Sequence, residues 1–156
     1  MTQRFILDEN VVIFAQLEQK KQGEKDSTCL ELITRIIRIC HTMVADPWLW
    51  RQYFHQLNLP RNTEPQLGSR LLRVLTNAAH RADKMETRHQ NAPSFPEESS
   101  IPPGSQDDVP LVRLSVETGA ILVTTDAHLR EDLNNCGVQE KYHLRLLSPS
   151  EALDEL

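Results

Sequence analysis

The chain has 156 residues, 39% hydrophobic and 25% charged, with a formal net charge of −5. That is the size and balance of one globular domain, long enough to bury roughly two-thirds of its unfolded surface. No apolar run approaches the ~20 residues of a membrane-spanning helix, and the acidic balance counts against tight, non-specific binding of polyanions.

Residues 4–7 read as a short buried strand, too short for the apolar core of a secretory leader. Asn10 is placed to cap a helix carrying Val11, Val12, Phe14, Ala15 and Leu17. A charged, glycine-containing loop follows over 19–25. Thr28 and Glu31 have capping-box spacing, which predicts a helix to about residue 40 with Leu30, Ile33, Ile36, Ile37 and Cys40 at helical period. Residues 41–45 predict a second strand. Asp46 then caps a helix with Pro47 at its first position, carrying Trp48, Leu49, Tyr53, Phe54 and Leu57.

Gly68 and Ser69 open a further helix with Leu71, Leu72, Leu75, Ala78, Ala79 and Ala82 on one face. Residues 84–107 turn polar and contain four prolines, which predicts a long mobile loop inside the domain. Pro110 lies in the first turn of the next helix, which Gly119 ends. A strand over 120–125 follows, then a helix opened by Asp126 with Gly137 near its end. Residues 143–147 form a last strand and Ser148-Pro149-Ser150 starts a terminal helix. Strands alternating with helices predict a single α/β domain over 1–156, three-layer α/β/α around a parallel central sheet. The three cysteines, Cys29, Cys40 and Cys136, form no CxxC pair and are odd in number, so they read as buried hydrophobes in a reducing cytoplasm.

Two of these strands end in an acidic residue. Phe5-Ile6-Leu7 runs into Asp8-Glu9-Asn10, and Ile121-Leu122-Val123-Thr124-Thr125 runs into Asp126. Asp107-Asp108 opens the segment leading to the second of them. In an open parallel sheet, ligands bind beyond the carboxyl ends of the strands, where strand order reverses. Carboxylates gathered there repel one another unless a hard divalent cation neutralises them. The pattern points to metal-dependent phosphate chemistry.

These residues resemble a PIN domain, the fold of many small metal-dependent ribonucleases, including toxins of toxin–antitoxin pairs. The family's opening strand and Asp-x-Asn are matched by Asp8-Glu9-Asn10. Asp108 and Asp126 are 18 positions apart (126 − 108), the separation of the third and fourth acids in many members. Leu111 and Ser115 between them, the stretch Leu122-Val123-Thr124-Thr125-Asp126 and the ending Arg145-Leu146-Leu147-Ser148-Pro149-Ser150-Glu151 also fit the family pattern. The resemblance covers residues 4–15 and 106–151 and fades between them. It implies a divalent-metal-dependent ribonuclease holding Mg²⁺ or Mn²⁺ on Asp8, Asp108 and Asp126, with Asn10 and Thr124 in support. As partners it implies RNA, a protein antitoxin or regulator, and a second copy of the chain as a homodimer.

One position departs from the family. The second acid, usually a Glu before an aromatic residue, corresponds to Gln52 in Trp50-Arg51-Gln52-Tyr53. An amide is a poorer ligand for a hard cation. Glu31 is explained by its capping box, and Glu64 falls in a loop of no assigned place. Glu9 is expected at the rim or in solvent, and Asp107 as a helix cap. Arg70, Arg73 and Arg81 would suit an RNA backbone, although a solvated helix face is the commoner explanation. Trp48, Trp50, Tyr53 and Phe54 read as core or dimer contacts. Two rivals stand beside the nuclease: a PIN-like module that binds RNA or protein without cutting, and a phosphoacceptor receiver domain. The receiver lacks the lysine it needs at the end of the last strand.

Overall fold

Five short strands form one all-parallel sheet in the order β3-β2-β1-β4-β5: β1 (Arg4–Leu7), β2 (Thr42–Ala45), β3 (Met85–Thr87), β4 (Ile121–Val123) and β5 (Leu146–Leu147). This is a computed structural model; it describes residues 1–20, 23–63 and 69–156. A parallel strand covered on both faces is apolar along its buried length, as β4 is and β1 is beyond Arg4: Phe5, Ile6, Leu122 and Val123 are fully buried. Phe5 stands opposite Met43 on one side and Ile121 on the other, so β1 is the centre of the sheet.

Parallel neighbours need crossovers, and helices supply them. They are α1 (Glu9–Leu17) and α2 (Thr28–Arg38) before β2, α3 (Pro47–Asn58) and α4 (Arg70–Ala79) before β3, and α5 (Val109–Thr118) before β4. Next come α6 (Ala127–Asn135) and α7 (Val138–Lys141) before β5, and α8 (Pro149–Asp154) closes the chain. The result is the α/β fold expected from the sequence, with helices on both sides of the sheet. Helix α2 presses Leu32, Ile33 and Ile36 inward and α4 presses Leu71, Leu72 and Leu75. Each such side chain contributes about 1.5–3 kcal/mol by leaving water. Among the described residues, no helix is long and apolar enough to cross a membrane.

The chain runs from β1 outward to β2 and β3, then returns to place β4 on the other side of β1. The reversal falls between β1 and β4, so their carboxyl ends flank the crevice where this architecture binds ligands.

Several local expectations shift. The predicted capping box at Thr28 and Glu31 does not form: Thr28 is already helical, its N–H bonds Asp26 Oδ1 at 2.7 Å, and Glu31 is exposed. His41 precedes the strand, where its Nδ1 accepts the Gln3 N–H at 3.1 Å and its ring meets Phe5 edge-on. Gly68 lies outside the described residues, and α4 begins at Arg70.

The largest correction concerns the expected loop at 84–107. Met85–Thr87 is the edge strand β3, and Pro96–Ser100 and Pro103–Asp108 are short 3-10 turns. Ala92, Phe95, Ile101 and Ser105 are buried. Proline-rich, polar sequence here builds turns because specific partners hold it. Asp46, at the end of β2, caps α3 through Oδ1 (Leu49 N–H, 2.9 Å) and takes the Ala92 N–H on Oδ2 (3.2 Å). Glu98 forms a two-pronged pair with Arg113 at 2.8 and 2.7 Å, Glu97 accepts from Lys141 and Tyr142, and Ser105 donates to Asp132 at 2.6 Å.

Asp46→Ala therefore removes a helix cap and strands a buried N–H. The expected loss is about 2–3 kcal/mol in urea denaturation, with faster hydrogen exchange across 88–108. Unchanged stability and exchange would show that Asp46 does not hold this segment down.

Candidate metal centre

Asp8 ends β1, and its own N–H makes the last link to β4 by donating to the Val123 carbonyl at 3.0 Å. It is 1% exposed. Asp8 also begins α1 as its cap: Oδ1 accepts the Asn10 N–H at 3.3 Å. The capping expected of Asn10 thus belongs to Asp8, and Asn10 is the exposed second residue of the helix. Asp8 Oδ2 accepts from Thr124 Oγ1 at 2.8 Å, and the same hydroxyl accepts the Asp126 N–H at 3.0 Å. Thr124 therefore ties the end of β4 to the end of β1.

Asp108 closes the 3-10 turn before α5 and occupies the cap position without a side-chain capping bond. Its carboxylate is left for other work. It is half-buried, and its pKa is raised to about 6 by burial first and then by the charges of Asp8, Asp126 and Asp107. Asp107 itself is exposed.

Glu9 was expected at the rim. Instead, ligand oxygens of Asp8, Glu9 and Asp108 lie within 4.8 Å of one another. Glu9 Oε2 is buried and has no hydrogen-bond partner. Burial, and after it the Asp8 charge, pushes the Glu9 carboxyl up to about 8. The usable signal was positional: a residue opening a helix directs its side chain back toward the amino end, and here that end is Asp8.

Asp126 follows β4 and caps α6, its Oδ1 accepting from His128 N–H (2.9 Å) and Leu129 N–H (3.3 Å). It stands outside the three-carboxylate group but near enough to raise Asp108. Gln52 is half-buried on α3 and makes no hydrogen bond to the group. Its neighbour Tyr53 is the α3 residue that reaches the site. The fully buried phenol donates to the Leu7 carbonyl, and its pKa is raised by burial and by the charges of Glu9 and Asp8. Glu64 lies outside the described residues.

The three arginines lie elsewhere. Arg70 borders a small apolar groove with Ala15, Gln16 and Leu30, at the far end of α1 from Glu9. Arg73 is exposed on the same helix, and Arg81 pairs with Asp83 at 3.0 Å near the start of β2.

Beside the acids, an open cleft of about 550 Å³ runs between α1 and α6, with Asn10 and Phe14 on one wall and Asp126, His128 and Asp132 on the other. Asp8, Glu9 and Asp108 do not line it. No protein-family description and no curated protein matches the sequence, so the resemblance to PIN domains stands on the residues named above.

The donor set fits a hard cation. Oxygens bound by one Mg²⁺ at about 2.1 Å lie at most about 4.2 Å apart, so small movements would bring all three carboxylates onto one ion. The partnerless Glu9 oxygen is the atom that such an ion would satisfy.

Both raised carboxyls have a consequence without any metal. The folded protein keeps protons on Glu9 (4.5 to about 8) and Asp108 (3.8 to about 6) that the unfolded chain has released. Their stabilising contribution is complete below about pH 4 and is lost as pH rises through 6 for Asp108 and 8 for Glu9. In chelator, the melting temperature should fall between pH 5 and 8, and Glu9→Gln should remove the upper part of that fall. A wild-type melting temperature flat over this window would contradict the raised carboxyls.

Proposed function

We propose that the protein is a divalent-metal-dependent ribonuclease that hydrolyses phosphodiester bonds in RNA. The observation that carries this reading is the convergence of Asp8, Glu9 and Asp108 at the reversal point of a parallel sheet, alongside the resemblance to PIN domains. These three residues would hold Mg²⁺ or Mn²⁺, with Asp126 adjacent. A bound divalent ion supplies a water of lowered pKa and neutralises charge on the phosphate. The chain's own residues set the geometry: Thr124 fixes the Asp8 carboxylate, Tyr53 fixes the Leu7 carbonyl just before it, and the α1 cap fixes its rotamer. Glu9 takes the part of the missing second acid at Gln52, from α1 in place of α3.

A toxin held by an antitoxin, and a homodimer, are extensions of this reading through the family. A second reading, a PIN-like module that binds RNA or protein without cutting, is favoured by Gln52 and by the net charge of −5.

Calorimetric titration of Mn²⁺ should show binding by the wild type and none by Asp8→Asn. Thr124→Val, which keeps every ligand but frees the Asp8 carboxylate, should weaken binding and RNA cleavage about 10–100-fold. Cleavage that survives Asp8→Asn or excess chelator would sink the nuclease reading. Metal binding without cleavage, with cleavage gained in Gln52→Glu, would favour the second.

A further inference from the structure

The cleft between α1 and α6 has a composition that the acidic group does not explain. Its volume, about 550 Å³, falls within the roughly 300–1,000 Å³ of small-molecule sites. Helical spacing builds its walls. Asn10 and Phe14, four apart, share one face of α1, and His128 and Asp132, four apart, share one face of α6. Gly104 and Thr125 complete the lining, and Gly104 offers only backbone, with nothing within 4 Å of where a Cβ would sit.

Two carboxylates face this space with unused oxygens. Asp126 spends Oδ1 on the α6 cap, leaving Oδ2 without a hydrogen bond. Asp132 receives the Ser105 hydroxyl on Oδ2, leaving Oδ1 free. Among the described residues, no lysine or arginine lines the cleft. A phosphate entering here would meet like charge, so the natural occupant is neutral and donates hydrogen bonds. Phe14, half-buried, gives such an occupant a flat surface on which to stack, with the His128 ring on the opposite wall.

We propose that this cleft seats one unpaired amino-bearing nucleobase of the RNA, guanine above the others, stacked on Phe14 with its donor edge toward Asp126 and Asp132. Guanine presents a ring N–H and an exocyclic amino group side by side, the pairing a carboxylate accepts best. Cytosine and adenine present an amino group alone. Uracil sets its single N–H between two carbonyl oxygens, which the carboxylates repel. The Asn10 amide, exposed at the mouth, can donate to the guanine carbonyl. The inference rests on the ribonuclease reading for its choice of RNA, and it makes the cleft the specificity pocket beside the acids.

The test needs no turnover. Guanosine, inosine and uridine, uncharged nucleosides, are titrated in EDTA into the uniformly ¹⁵N-labelled protein, with amide shifts followed by NMR. Guanosine should shift residues 10–14, 104 and 125–132 saturably. Inosine, which lacks only the amino group, and uridine should bind about tenfold more weakly. Phe14→Leu, which keeps an apolar side chain against the core, should weaken guanosine about tenfold. Asn10→Ala, at an exposed position, serves as the second variant and should weaken guanosine several-fold. Equal binding of guanosine and inosine, shifts centred elsewhere, or no saturable shift would overturn the proposal. Absence of metal-dependent cleavage would count against the nuclease reading and leave this titration intact, so the two failures are distinguishable.

Discussion

Asp8 stands where the central strand becomes a helix, almost wholly out of water, and both of its oxygens are committed. One caps α1 and the other receives the Thr124 hydroxyl from the neighbouring strand. Hydrogen bonds to a charged acceptor contribute about 1.5–3 kcal/mol each, and these two hold the carboxylate in place; among the described residues, no lysine or arginine pairs with it. Two neighbouring acids feel its charge. Glu9 and Asp108, brought against it by the first residue of α1 and the end of a 3-10 turn, are pushed upward in pKa, each by burial first and by Asp8 next. The pairing of β1 with β4 keeps these acids together in spite of that repulsion.

Three strand ends in this protein share one local device: Asp8, Asp46 and Asp126 each cap the helix that follows. Local sequence cannot rank them, because each fits the same cap preference. Position in the sheet does. Asp46 ends β2, away from the reversal point, and its remaining oxygen is satisfied by the Ala92 N–H. It is structural, and what it secures is the segment that carries Asp108 from the edge strand back toward the centre. Glu98 with Arg113, and Ser105 with Asp132, hold the same segment further along. The placement of Asp108 is therefore a tertiary product of contacts spread over residues 46–132.

That distinction explains what the sequence disclosed. The alternation of apolar runs with helical periods made the parallel α/β fold legible, and the acids at the ends of β1 and β4 pointed to the carboxyl edge of the sheet, where Asp8, Glu9 and Asp108 converge. Edge strand β3 escaped notice because only Met85 of its three residues is buried, so it carries no periodic signal. The polar segment after it read as mobile because composition records prolines and serines but not their partners. Glu9 was discounted for a similar reason. What marks it is one buried oxygen with no partner among the described residues, and a missing partner leaves no trace in a sequence.

The acidic group and the cleft divide the molecule's negative potential into two regions with different chemistry. Around Asp8, Glu9 and Asp108 the carboxylates are close enough for one cation to join. Along the cleft, Asp126 and Asp132 are each half-engaged by the protein itself, one by the start of α6 and the other by Ser105. Under the ribonuclease proposal, a polynucleotide carries both kinds of group that these regions would discriminate. Its phosphates would be tolerated only where a cation offsets the carboxylates, and its bases only where carboxylates can accept donors. Asp126 borders both regions, lining the cleft while raising Asp108. If the protein binds RNA as proposed, the same repulsion that makes the site costly in the free protein would fix the register of the strand, with the phosphate at the acids and the adjoining base against Phe14.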